Sequence, residues 1–80
     1  MPTLSVAPNP AREYTVFQNP VARSAPGYLR LYDAAGNLVR EIRFPGTQLG
    51  VSLAGMQPGL YFGELTGAFG KLVTRLLVVR

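Results

Sequence analysis

The chain reads as an all-β sandwich of about seven antiparallel strands. Three observations carry this. Turn-forming clusters recur along the chain: Pro8-Asn9-Pro10, Asn19-Pro20, Ala25-Pro26-Gly27, Asp33 to Gly36, Pro45-Gly46, Gly55 to Gly59 and Gly67 to Gly70. Their spacing is about the 8–12 residues typical of small sandwiches. Between them lie short runs of β-branched, aromatic and aliphatic residues, and no window keeps a 3.6-residue period, so essentially no helix is expected.

Leu4 and Val6 mark the first strand, and Tyr14 and Val16 alternate in the second. Leu29 and Leu31 alternate in the third, and Leu38 to Phe44 forms the fourth. In the fifth, Leu49, Val51 and Leu53 fall on one face by the two-residue period of a strand. The sixth runs from Leu60 to Thr66 and the seventh from Lys71 to Val79.

The sharpest local geometry is Asp33-Ala34-Ala35-Gly36-Asn37. Aspartate suits the first position of a type I turn, the alanines accept right-handed backbone, and Gly36 can take the left-handed position of a G1 bulge. This loop places Leu31 opposite Val39. The apolar pattern of the fourth strand (Leu38, Ile42, Phe44) favours the other face inward. Turn chemistry ordinarily sets hairpin register, so the expected pairing follows the turn.

The rest of the chain is organised around Leu53-Ala54-Gly55-Met56-Gln57-Pro58-Gly59-Leu60-Tyr61-Phe62, a turn feeding directly into a strand. Pro58 presets φ for a turn's second position, and Gly59 supplies φ > 0 for the third. With the segments Gln48 to Leu53 and Leu72 to Val79, this strand makes the densest apolar part of the chain. The last segment, Leu72-Val73-Thr74-Arg75-Leu76-Leu77-Val78-Val79-Arg80, is apolar on both faces. Such a strand is central and buried on both sides, paired with another chain, or kept for a partner. The central position is the ordinary reading.

Eighty residues bound the molecule to one small domain, here 1–80, without the cysteines that could staple it or the histidines that most often serve as bases and metal ligands. Ser5, Ser24 and Ser52 therefore lack a histidine partner, and Lys71 is the only lysine. Glu13, Asp33, Glu41 and Glu64 are dispersed, each with an ordinary strand or turn role. No catalytic centre, cofactor or metal site follows. The glycines Gly55, Gly59, Gly63, Gly67 and Gly70 precede no helix that could complete a phosphate cradle, so turns account for them better. The net charge of +4 comes from scattered basic residues, which argues against a nucleic-acid footprint. The uncharged window between Arg43 and Glu64 is broken by Pro45, Gly46, Gln48, Gly50, Pro58 and Gly59, which argues against a membrane span. Met1-Pro2 leads straight into a strand pattern with no signal peptide, as expected of an excerpt from a longer protein.

Four motifs in order resemble type IX secretion C-terminal sorting domains. Leu4 through Tyr14, with Pro8-Asn9-Pro10 between two strands, is similar to the opening of that family. Leu31-Tyr32-Asp33-Ala34-Ala35-Gly36-Asn37-Leu38-Val39 resembles its middle Tyr-Asp-x-x-Gly hairpin, with Tyr32, Asp33 and Gly36 as the signature. Leu53 through Phe62 is similar to its Leu-x-x-Gly-x-Tyr element, here with Leu53, Pro58, Gly59 and Tyr61. The final Gly70-Lys71-Leu72 through Val79, including Leu76, Leu77, Val78 and Val79, resembles its closing Lys-containing strand. The departures are Ala7 where an aromatic is common, Gly63 where a bulkier residue is usual, and Arg75 near a frequent Lys position. Gly63 marks a thin or closely packed spot in the sixth strand.

The resemblance implies an Ig-like β-sandwich at the C-terminus of a secreted cargo, an address and not an enzyme. It implies recognition in the periplasm by outer-membrane shuttle proteins and a type IX translocon, then removal by a sortase-like peptidase that can attach the cargo to anionic lipopolysaccharide. The destination would be the cell surface or the medium. Weak self-association through edge strands is also expected. The alternative is an Ig-like adhesion or carbohydrate-binding module, with Tyr28, Arg30 and Tyr32 as a platform on one face of the third strand; the bland reading of that trio is a solvated outer face stiffened by cross-strand packing.

Overall fold

The computed structural model describes residues 4–20, 26–68 and 70–79. Met1 to Thr3, Ser24, Ala25 and Arg80 lie outside the described residues. Seven strands form: β1 (Ser5–Ala7), β2 (Tyr14–Gln18), β3 (Gly27–Asp33), β4 (Leu38–Phe44), β5 (Gln48–Ser52), β6 (Gly59–Gly67) and β7 (Gly70–Val78). No helix occurs among the described residues, and none is long and apolar enough to cross a membrane.

The strands make two antiparallel sheets, a three-stranded one in the order β1-β2-β5 and a four-stranded one in the order β4-β3-β6-β7. The core lies between them, where inward residues of both sheets meet: Phe17 from β2, Leu29 and Leu31 from β3, Phe44, Val51, Leu65, Leu76 and Val78. The dense apolar segments named from the sequence are thus shared between layers: β6 pairs with β7, while β5 packs across from them.

Two inward faces differ from expectation. In β2 the residues that alternate inward are Thr15 and Phe17, both 0% exposed, whereas Tyr14 is 54% exposed. Phenylalanine has no hydroxyl to satisfy, and the Thr15 hydroxyl donates to the Pro8 carbonyl oxygen at 2.8 Å, so a polar residue is accommodated in the core. Second, β7 is not central. It borders the four-stranded sheet, burying Leu76 and Val78 on its inner face and leaving Val73 and Leu77 exposed on the outer one.

The Asp33–Asn37 loop forms as its chemistry dictates. Gly36 N–H donates to the Asp33 carbonyl at 2.9 Å, Asp33 N–H donates to Asn37 O at 2.9 Å, and Gly36 has φ +89°. The predicted Leu31–Val39 pairing does not survive. Tyr32 faces Leu38, but Leu31 faces Arg40, so Val39 is an extra residue in β4. That β-bulge reconciles the two signals. The turn fixes the first pair, and the bulge shifts the phase so that Ile42 and Phe44 turn toward the core while Leu38 stays 53% exposed.

Gly63 is the close approach its sequence position suggested. A Cβ there would lie 3.0 Å from a ring carbon of Phe17 and 3.5 Å from a methyl of Leu31. The Phe17 ring occupies the space that a side chain on β6 would fill.

Candidate functional site

Strand directions bring the first three sequence motifs and the Leu76–Val79 end of the fourth to one end of the sandwich. Lys71, opposite Thr66, lies at the other end of β7. β3 ends at the Asp33 loop, β5 ends at Ser52, and β2 starts at Tyr14, which pairs with Ser52. β6 begins at Gly59, opposite Val78 near the close of β7. Segments up to 68 positions apart in sequence therefore meet at one surface.

At its centre lies a groove of about 570 Å³ between the Asp33–Ala35 loop and the Gly55–Leu60 segment, floored by Tyr61. Each wall is held internally. Asp33 Oδ1 accepts from the Ala35 and Asn37 N–H groups at 3.0 and 2.9 Å, and Oδ2 accepts from Asn37 Nδ2 at 3.3 Å. The Asn37 N–H bond first, then the other donors of the loop, hold the Asp33 carboxyl below the usual carboxylate range. On the facing wall the Tyr61 hydroxyl donates to Gln57 O at 2.6 Å.

The hydrogen-bonded turn in this wall is not at Pro58-Gly59. Met56 N–H donates to Leu53 O at 3.0 Å, with Gly55 at φ +80°, the value a type II turn requires at its third position. Leu53 and Met56 bury their side chains on either side of that turn, which explains its placement. Gly59 opens β6 at φ +149°, outside the range that side-chain-bearing residues favour.

Pro8-Asn9-Pro10 has a role that sequence reading missed. After β1 the chain leaves the three-stranded sheet and lies against the free edge of β7. Ala11 N–H donates to Leu77 O and Val79 N–H to Ala11 O, both at 2.9 Å, in a parallel bridge. One step earlier Asn9 substitutes its side-chain amide for a peptide group: Nδ2 donates to Arg75 O and Leu77 N–H donates to Oδ1, both at 2.9 Å. Asparagine is suited to this because its amide carries one donor side and one acceptor side, like the backbone.

Arg40 is the other residue that sequence gave no reason to single out. Turned inward by the bulge, its guanidinium donates to the carbonyls of Ser52 and Ala54, tying β4 to the end of β5 across the open side of the sandwich. The missing signal was the bulge itself, which decides which way Arg40 points.

Tyr28, Arg30 and Tyr32 do share the outer face of β3, but the cation is engaged. Arg30 Nε donates to Glu41 at 2.6 Å and a second nitrogen lies 3.9 Å from Glu64, while Lys71 sits 3.6 Å from the other Glu64 oxygen. The hydrogen bond to Glu41 raises the Arg30 pKa from its ordinary value. Glu41 and Glu64 are thereby brought to the two sides of one arginine in a cross-strand ladder. Among the described residues no cluster of three or more His, Cys, Asp or Glu side chains could hold a metal ion. Ser5 and Ser52 lie in β1 and β5 of the three-stranded sheet, Lys71 in β7 of the other, and Glu13 just before β2.

Two sheets with this strand order, and loops gathered at one end, define an immunoglobulin-like sandwich. The family model for the secretion-system C-terminal sorting domain matches residues 5–79, and the chain belongs to that family of type IX secretion sorting domains. Similar solved structures include PorZ, an essential bacterial surface component of the type IX secretion system of Porphyromonas gingivalis. It aligns with TM-score 0.77 and 17% identity over 96% of this chain and 11% of that one. A DUF3244 family protein of Bacteroides vulgatus with an immunoglobulin-like β-sandwich fold aligns with TM-score 0.68 and 17% identity, covering 96% of this chain and 98% of that one. The chain thus spans a small fraction of PorZ and nearly all of the second protein. Comparison with curated proteins gave no match.

Proposed function

We propose that this domain is the C-terminal address of a longer secreted protein, carrying its cargo across the outer membrane through the type IX translocon. The observation that carries this is the family match over nearly the whole chain. Members of that family act as sorting signals for the cell surface or secretion and are generally not catalysts. Outer-membrane shuttle proteins and the translocon would read the folded domain, and a sortase-like peptidase would then remove it. The convergence of Pro8-Asn9-Pro10, Tyr32-Asp33, Gly36, the Leu53–Tyr61 segment and Leu76–Val79 on one end supports placing the read surface there.

The test is fusion of residues 1–80 to a neutral reporter in a host with a type IX system. Export of the reporter to the surface or medium is the expected result. Retention in the periplasm, with the domain folded, would overturn the proposal.

A further inference from the structure

We propose that the Lys71–Arg75 stretch of the β7 edge is a docking site for an extended, acidic segment of a partner protein, added as a further strand. The proposal rests on the sorting reading and adds to the motif-bearing end a second contact, further along β7, with a stated partner chemistry.

Peptide orientation is fixed by the observed bonds. Leu77 directs both its N–H and its carbonyl away from β6, toward Asn9 and Ala11, and the Arg75 carbonyl points the same way. The β6–β7 register is uninterrupted from Gly59–Val78 to Gly67–Gly70. A period of two therefore aims the N–H and carbonyl of Val73 and Lys71 outward as well. Among the described residues, the Asn9–Ala11 segment covers the edge from Arg75 onward and no further back. It demonstrates that this edge accepts a neighbouring strand, and it ends where the chain crosses to β1 in the other sheet.

The other edges are bulged, capped at one end or short. β4 is bulged and latched through Arg40, β5 receives that latch at Ser52, and β1 is only three residues long. The part of β7 that no described residue covers is straight, with Val73 54% exposed between two basic side chains on the same face. Those charges select the occupant. A second copy paired antiparallel about Val73 would set Lys71 directly opposite Arg75, a repulsive cross-strand pair. A segment with acidic residues opposite Lys71 and Arg75 and an apolar one opposite Val73 would be attracted. Lys71 already touches Glu64 at 3.6 Å but is 60% exposed, so it keeps donors free for a partner.

The test titrates the isotopically labelled chain with capped Glu-Thr-Val-Thr-Glu, a palindromic probe that fits either strand direction, and with its Lys-Thr-Val-Thr-Lys counterpart. The acidic peptide is expected to shift, and slow the exchange of, the Lys71, Val73 and Arg75 amides, and the basic one to leave them unchanged. Val73→Pro deletes an outward N–H without touching the β6 ladder, so it should abolish peptide binding and reporter export while retaining a cooperative melt. If that variant does not fold, the pair Lys71→Glu and Arg75→Glu decides. It should weaken acidic-peptide binding by about tenfold and transfer binding to the basic peptide. Peptide effects elsewhere, an unmoved charge preference, or dimerisation through this edge in place of peptide binding would overturn the proposal. Peptide binding with a reporter that the unmodified domain cannot export would leave the docking site standing and remove the sorting reading.

Discussion

The two border strands of the four-stranded sheet, β4 and β7, solve the same problem differently. Each presents a row of backbone groups that invites another strand. β4 is protected by its own irregularity: Val39 breaks the ladder, and the Arg40 it redirects is anchored to Ser52 and Ala54. β7 keeps perfect register along its length and is protected from outside, by Asn9 and Ala11, over its last third only. An edge that distorts itself is closed permanently. One covered by a separate segment can be left partly open.

The largest expected effect comes from removing residues 76–80. Leu76 and Val78 are 0% and 2% exposed, and each such burial is worth about 1.5–3 kcal/mol. The truncated chain should show no cooperative thermal transition by circular dichroism, and export should fail. A truncated domain that melts cooperatively would mean the end of β7, and with it the seam to Asn9 and Ala11, is dispensable to the fold.

Gly59→Val comes next. Gly59 faces Val78 at the closed end of β7, and a Cβ would meet nothing within 4 Å, so the cost is backbone strain alone. About 1–3 kcal/mol is expected, read as a lowered denaturation midpoint. An unchanged midpoint would mean the strand opens without needing φ +149°.

Asn9→Ala and Arg40→Ala sharpen the comparison directly. Each removes two hydrogen bonds at the rim of the sandwich and should cost about 1 kcal/mol, since the groups remain accessible to water. Their signatures differ: Asn9→Ala should accelerate hydrogen exchange at the Leu77 amide, whereas Arg40→Ala should leave that amide protected. Equal acceleration in both would mean the two edges open together.

The smallest effect is electrostatic and confined to the β3–β4 hairpin. The Asp33 carboxyl is held below its unfolded value by N–H donors, so its contribution is present above about pH 3.9 and is lost as pH falls through the lower folded value. Asp33→Asn should flatten the stability profile in that acidic window and change little near neutrality beyond the loss of one acceptor. A profile identical to the unmodified protein below pH 4 would show that the loop does not depend on the charge.

Strand number, the Asp33 loop and the inward faces of β3 and β5 were legible because each rests on local chemistry or on a clean two-residue period. The face of β2 was not, since Tyr14 and Val16 are good strand formers whichever way they point, and the Thr15 hydroxyl is satisfied by a residue seven positions away. The β4 register failed for a related reason: two correct signals conflicted, and only the packing of Ile42 and Phe44 into the core could select a bulge. The motifs of the candidate site could be read one by one, but not their convergence, which depends on strand order. Asn9 as a surrogate peptide group has no sequence signature beyond lying between two prolines.

The Asn9–Leu77 contact also sets the order in which the molecule can be completed. Its two halves are 68 positions apart, so the first strand's trailing segment must wait unpaired until the seventh strand has been made. Closure of such a remote pair comes late, after most of the chain-ordering entropy has been lost. On the ribosome, chains arrested before Lys71 are expected to stay protease-sensitive throughout, and resistance should appear abruptly once Val79 has cleared the exit tunnel. A domain built this way stays unfinished during synthesis, and its last-made strand is the one that locks it.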